Sequence, residues 1–304
     1  MEYHIPVLLN ESVEGLDIHP GGTYVDVTFG GGGHSAAIYQ KLSNGRLIAF
    51  DQDPDANKNT RTFESDENRS FLFVPSNFRH IKRYLKFHGS TQVDGILADL
   101  GVSSHQFDEQ QRGFSTRFDS ALDMRMDYSS PGLTAKEVIN SYEESDLVHV
   151  LSLYGEIINA RTLAARIVRQ RNQAPIETTS QLKAIATEVA PRGKTAKYLA
   201  QLFQAIRIEV NDEMGALKEM LTQCADVLKP EGRLVVISYH SLEDRLVKNF
   251  ISSGNFKGKQ EKDFYGNLIR PLDPFNRKPI VPGEEEIAEN NRARSAKLRI
   301  AVKK

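Results

Sequence analysis

The stretch from Gly22 to Asp53 constrains the fold more than any other part of the chain. A β-rich run, Thr23-Tyr24-Val25-Asp26-Val27, leads into Phe29-Gly30-Gly31-Gly32-Gly33-His34-Ser35; a helix-compatible segment, Ala36 to Leu42, and a second strand, Arg46 to Phe50, follow, ending at Asp51. Strand, glycine turn, helix, strand and acid in this order predict a parallel βαβ unit. Glycines after a strand let a ligand approach the backbone, and the next helix offers free N–H groups and a positive dipole end. Gly31-x-Gly33-x-x-Ala36 fits the dinucleotide fingerprint, with Asp51 about 20 residues on, where a ribose-binding acid would sit. The pattern alone does not separate NAD from S-adenosylmethionine (SAM), because both present ribose hydroxyls to an acid.

The rest of the chain extends this unit. Asp53-Pro54 predicts an N-capped helix toward Phe63, Phe71 to Val74 a third strand, and Val93 to Ala98 a fourth that ends at Asp99-Leu100-Gly101. The next strong strand, Arg233 to Ile237, comes more than a hundred residues later, far beyond an ordinary crossover. The intervening periodicity predicts helices over Ala135–Leu153, Glu156–Gln170, Thr178 or Thr179 to Val189, and one long helix over Ala196–Leu228. A helix over Leu242–Ile251 and a strand over Lys297–Val302 complete the pattern. The expected fold is therefore α/β: a Rossmann-like core from residues 1–108 and 211–304, with a mainly helical insertion at 109–210.

Composition narrows the class. At 304 residues, with 39% hydrophobic and 26% charged side chains, the chain is neither disordered nor collagen-like. No apolar run approaches a membrane span, and Met1 to Asn10 lacks a signal-peptide pattern, so a cytoplasmic protein is expected. The lone Cys224 sits in an apolar helical pattern and receives no role. Net charge is −1, yet the charge is uneven. Arg161 to Arg207 holds nine basic and two acidic residues, and Asn290 to Lys304 six basic and none acidic. Two basic segments in a near-neutral chain suggest a polyanionic partner.

Asp99-Leu100-Gly101-Val102-Ser103-Ser104-His105-Gln106 places polar groups where the reacting end of a ligand would lie; the alternative is that Asp99 and the serines only cap a turn. Arg112-Gly113-Phe114-Ser115 and Leu122-Asp123-Met124-Arg125-Met126-Asp127 read, on residue types, as an internal ion-pair network. Ser238-Tyr239-His240-Ser241 follows the fifth strand and makes His240 a candidate substrate contact. No serine-hydrolase elbow is present, and no metal-ligand spacing occurs, so no metal is expected.

Together and in order, these segments resemble the RsmH (MraW) family of bacterial 16S rRNA cytosine-N4 methyltransferases. The resemblance rests on the Gly-Gly-His-Ser loop, Leu122 to Asp127, Phe203 to Asn211, Ser238 to Arg245 and Arg292 to Arg299, and spans nearly the whole chain. It implies a class I SAM-dependent methyltransferase fold, SAM as cofactor, and a cytidine of small-subunit rRNA as substrate. Carried over by position, cofactor contacts fall on Gly32, Gly33, His34, Asp51, Phe78, Asp99 and Gln106. Asp99 and Ser103 are the expected catalytic residues. Arg112, Arg125, Arg207, His240, Arg292 and Arg294 are the expected RNA contacts. Ile157, Ile158 and Asn159 stand where the family generally has Glu-Arg-Phe, Gln201-Leu202 where it has Arg-Thr, and Asn291 where it has proline. These changes keep a non-catalytic RNA-binding assembly factor open as an alternative, beside the NAD-dependent oxidoreductase. The oligomeric state is open too, a homodimer included.

Overall fold

The computed structural model describes residues 6–63, 68–102, 109 and 112–304. Two compact units emerge, one from Met1–Gly101 with Met214–Lys304 and one from Val102–Glu213.

In the first unit, α1 (Leu9–Gly15) precedes β1 (Thr23–Asp26), α2 (Gly33–Gln40) and β2 (Arg46–Asp51). A 3₁₀ helix over Pro54–Thr62, with Asp53 accepting from the Asp55 N–H, replaces the expected helix there. β3 (Ser70–Pro75), α3 (Ile81–Phe87) and β4 (Val93–Asp99) follow. The sheet order is β3-β2-β1-β4-β5-β7-β6, where β5 is Leu228–Ser238, β6 Leu272–Pro274 and β7 Lys297–Lys303. β1 to β5 run parallel and β7 is antiparallel to β5 and β6. A parallel sheet with one reversed strand in this order is the class I SAM-dependent methyltransferase arrangement. β6, only three residues long, has no signal in the sequence.

Period-two alternation explains why both sheet faces are covered. Ile48, Phe50, Ile96, Ala98, Leu234 and Val236 join one buried cluster, while Leu47, Leu97, Val235 and Ile237 join another on the opposite face. A central sheet buried on both sides needs near-continuous apolar strands, and these have them. The chain order reverses between β1 and β4, so ligands are expected at the carboxyl ends of these two strands.

The insertion has its own core. Among the described residues it contains α4 (Ala135–Ser141), α5 (Glu144–Leu153), α6 (Ala160–Arg171), α7 (Thr179–Val189) and α8 (Thr195–Asn211). Their apolar faces, including Leu163, Ile167, Leu182, Leu202 and Ile206, form one buried cluster. Three expected helices are shorter than their periodicity implied. Ala135–Leu153 breaks where Tyr142 and Glu143 turn extended, and the Glu156 helix starts only after Asn159, Glu156 itself being left-handed at φ 52°. The long helix is two, α8 and α9 (Glu213–Val227), because Asp212 adopts φ 46° and ends the first. Apolar periodicity persists across such breaks, so it does not reveal them. Cys224 is buried, and burial pushes its thiol pKa up. No helix of the described residues is long and apolar enough to cross a membrane.

Gly45 closes the turn into β2 against the entry to β1. A Cβ there would lie 2.5 Å from the Gly22 carbonyl oxygen and 2.8 Å from that of Pro20. These are backbone atoms held in the turn by Arg46 N and Ser43 N, so they have no room to give. At Gly21 the nearest atom would be 3.8 Å away. Gly45→Ala is expected to cost on the order of 3 kcal/mol in denaturant unfolding, and Gly21→Ala less than about 1. Equal effects would remove this account of the turn.

Candidate active site

The carboxyl ends of β1, β2 and β4 each carry an aspartate, and the first organises the others. Asp26 is 1% exposed. Its Oδ1 accepts from Thr28 N at 3.0 Å and Thr28 Oγ1 at 3.3 Å, and its Oδ2 from Ser35 Oγ at 2.7 Å. Thr28 Oγ1 in turn accepts from Asp99 N at 2.7 Å. One buried carboxylate thus fastens the loop after β1, the first turn of α2 and the end of β4. Burial raises its pKa, against the lowering pull of His34 and of the hydrogen bonds from Ser35 and Thr28.

The glycine loop needs its glycines. Gly32, the N-cap of α2, has φ 78°, a left-handed value that side chains rarely adopt, and a Cβ there would press on the Phe29 ring at 3.1 Å. At Gly31 a Cβ would meet nothing within 4 Å, so open space lies beside the loop. Asp51, ending β2, accepts from Gly30 N at 2.7 Å through Oδ2 and from Asp53 N at 2.8 Å through Oδ1. It fixes the loop's far side, and each oxygen keeps a second lone pair for a hydroxyl donor. Burial pushes its pKa up to about 6, outweighing the lowering by those two N–H groups. Phe78 begins the short 3₁₀ turn after β3, packed partly against the core, where Asn77 caps the turn and bonds Gln52 Oε1 at 2.7 Å.

Asp99 ends β4 with 24% of its side chain exposed. Tyr239 Oη donates to its Oδ1 at 2.8 Å, and His34 Nδ1 lies 3.7 Å from its Oδ2. His34 Nε2 is 3.1 Å from the Val7 carbonyl, which requires a hydrogen on that nitrogen. Burial raises the Asp99 carboxyl to about 6, with His34 and Tyr239 pulling the other way. Burial and the facing Asp99 carboxylate push the Tyr239 phenol up, so it stays a proton donor.

The sequence assigns no role of their own to Asp26, Thr28 and Tyr239, although Thr28 and Tyr239 lie in segments it singles out. An acid ending an apolar strand run immediately before the glycine loop was the available signal for Asp26, since a buried carboxylate requires partners. His240 sits one residue beyond Tyr239, nine-tenths buried, where it caps α10 (Ser241–Ser253): its Nδ1 accepts from Glu243 N at 3.4 Å. Ser103 and Gln106 lie outside the described residues.

Arg112, Arg125 and Arg207 are engaged inside the insertion. Arg112 donates to the carbonyls of Arg125 and Met126 at 3.1 and 2.7 Å and lies over Tyr128 at 4.8 Å. Arg125 grips Asp123 through Nε and Nη2 at 2.9 and 2.7 Å, the ion pair the acid–arginine alternation predicts. Met124 is left-handed at φ 61°, and Asn211 holds that turn by donating to Met124 O and accepting from Met126 N. Arg207 pairs bidentately with Glu213 at 2.7 and 3.0 Å, the two side chains 12% and 10% exposed. Arg192, Lys194 and Lys197, around the α7–α8 turn, are exposed instead, and none forms an ion pair among the described residues. In the basic C-terminal segment, Lys297 and Arg299 pair with Asp244; Arg292, which has a partner of its own, and Arg294 are exposed on a 3₁₀ turn. Where the family pattern is broken, Asn159 bridges Val189 O and Tyr198 Oη, Ile157 is buried, and Ile158 is fully exposed.

Comparison with known proteins identifies the family. The model of the MraW methylase family matches residues 1–304. The ribosomal RNA small subunit methyltransferase H of Flavobacterium johnsoniae is 58% identical over 304 residues, covering 100% of this chain and 98% of that protein. Its namesake from Cytophaga hutchinsonii is 55% identical over 299 residues, covering 98% and 99%. Among solved structures, an rRNA methylase from Streptococcus thermophilus matches 99% of both chains at 11% identity and a TM-score of 0.43. With a family model matched from end to end and relatives above half identity over their full length, the chain belongs to the MraW methylase family.

Proposed function

We propose that this protein methylates small-subunit rRNA with SAM as donor, and that the acceptor is the exocyclic N4 of a cytidine in the decoding region of 16S rRNA. Family membership favours SAM over NAD, and the full-length relatives named for small-subunit rRNA methylation favour catalysis over a purely assembling role. The observation that carries the chemistry is Asp99, a raised-pKa carboxylate at the switch point, positioned by Tyr239 and Thr28.

The residues present fit SAM. Open space beside Gly31, the N-terminus of α2, and the acceptor oxygens of Asp51 suit a nucleoside, with Phe78 assigned to the adenine. Gly32, Gly33 and His34 would line the same loop, and Gln106 is proposed to join them. When bound, SAM supplies an electrophilic methyl group next to a positive sulfur. Asp99, kept on the same edge, offers negative charge to that end.

Cytosine N4 is a poor nucleophile because its lone pair is delocalised into the ring. The chain's task is therefore orientation, and acceptance of hydrogen bonds from an amine on which positive charge develops. Asp99 Oδ2, which among the described residues faces only His34 Nδ1 at 3.7 Å, is the proposed acceptor, with Ser103 assisting. The cytidine must leave its stack to reach it, and His240 is proposed to face the substrate beside Tyr239. Arg112, Arg125 and Arg207 would act on RNA by shaping the insertion; direct phosphate contacts are assigned to Arg192, Lys194, Lys197, Arg292 and Arg294.

Two measurements test this reading. Incubation with labelled SAM and small subunits lacking the modification should yield N4-methylcytidine on nucleoside mass spectrometry, and Asp99→Asn should lower turnover at saturating SAM by about 100-fold. A different methylated nucleoside would contradict the N4 assignment, and near-normal Asp99→Asn turnover the acceptor role. For phosphate contacts, replacing Arg192, Lys194 and Lys197 with alanine should reduce the log–log salt slope of RNA binding by about 2, since each contact contributes roughly 0.7 to 0.9. An unchanged slope would move the RNA path elsewhere.

A further inference from the structure

After α10 the chain builds a hairpin that the site does not use. Its base is anchored: Phe256 stacks on Phe250 at 5.1 Å, Asn249 donates to the Phe256 carbonyl at 3.1 Å, and Arg270 reaches both Asp273 at 2.7 Å and the Ser252 carbonyl at 3.1 Å. Its legs pair between Lys262 and Leu268, with Ile269 N bonded to Glu261 O at 2.9 Å. Its tip is organised by Asp263, whose Oδ1 accepts from the N–H groups of Tyr265 and Asn267 at 2.9 and 2.8 Å and whose Oδ2 accepts from the Asn267 side chain at 3.1 Å. What this framework presents is two aromatic rings in water. Phe264 is 98% exposed and Tyr265 86%, set edge to face at 5.7 Å.

Exposed single hydrophobics are common, but two adjacent aromatics held nearly fully exposed on a hydrogen-bonded turn form a surface made for contact. The charge around them favours a polyanionic partner. Lys257, Lys259 and Lys262 on the same segment are exposed, and none makes an ion pair among the described residues. From Lys257 to Arg270 four basic residues outnumber the two acids, Glu261 and Asp263, and aromatic rings beside exposed lysines are the elements that stack unpaired bases and hold the adjoining phosphates.

The base of the hairpin lies at the opposite end of α10 from Asp99. Asp99 pairs with Ile237 near the carboxyl end of β5, whereas Leu272, just after the hairpin, pairs with Lys303 beyond the Arg233 end of that strand. The 13-residue α10 separates the two ends by roughly 20 Å. A substrate as large as a ribosomal subunit can span that distance.

We propose that Phe264 and Tyr265 stack unpaired bases of 16S rRNA away from the target cytidine, so that the hairpin anchors the substrate without entering the chemistry. The proposal rests on the rRNA reading above. The test compares wild type with Phe264→Ala/Tyr265→Ala and with Phe264→Tyr/Tyr265→Phe. In the alanine variant, KM for small subunits and Kd for protein-free 16S rRNA should both rise at least fivefold, with kcat at saturating subunits within twofold and SAM affinity unchanged. The ring-preserving variant should behave as wild type. KM and Kd unchanged in the alanine variant would overturn the proposal. So would a loss confined to whole subunits, which would assign the rings to a ribosomal protein, or a loss of self-association alone, which would assign them to a second copy. Wild type that methylates no 16S cytidine would instead remove the underlying reading.

Discussion

The Asp26 carboxylate is the interaction on which the rest of the site depends. Through Thr28 and Ser35 it ties the loop after β1 to the start of α2, and through Thr28 Oγ1 to the backbone of Asp99. A carboxylate 1% exposed is costly unless its oxygens are matched to donors, and here both are. The three strand-end acids therefore divide the work: Asp26 builds the edge, Asp51 fixes the glycine loop, and Asp99, partly exposed, is held by Tyr239.

This arrangement trades stability for charge. The carboxyls of Asp51 and Asp99 are raised to about 6, so the folded state binds protons more tightly than the unfolded chain between about pH 4 and 6. Stability accordingly falls as pH rises through that window and stays lower above it, by on the order of 2–3 kcal/mol for Asp99. The negative charge that remains on Asp99 suits a ligand with a positive centre, which recovers the cost on binding.

Much of this was legible in the sequence because the relevant signals are local. A strand, four glycines, a helix and an acid lie within about 30 residues, and the βα alternation identifies the sheet and its ligand-bearing edge. The missing pieces arise from tertiary pairing. Tyr239 matters because β4 and β5 are neighbours, placing it against Asp99 across 140 residues of chain. The same holds for the arginines: a count of basic residues does not distinguish Arg207, clamped by Glu213, from Arg192, which projects into solvent. Helix breaks at Tyr142 and Asp212 were invisible for a related reason, since the apolar face continues on both sides of a one- or two-residue change in backbone conformation.

Burial raises the Asp51 and Asp99 carboxyls, and a cationic ligand beside Asp99 would relieve that cost. Carboxyl-carbon NMR of ¹³C-aspartate-labelled protein, assigned with Asp51→Asn and Asp99→Asn, measures this directly. The account predicts that both carboxyls titrate near pH 6 without ligand, that Asp99 titrates higher still in Tyr239→Phe, where a donor is lost, and that SAM lowers the Asp99 midpoint. Both titrating near pH 4 without ligand, with no response to SAM, would contradict it.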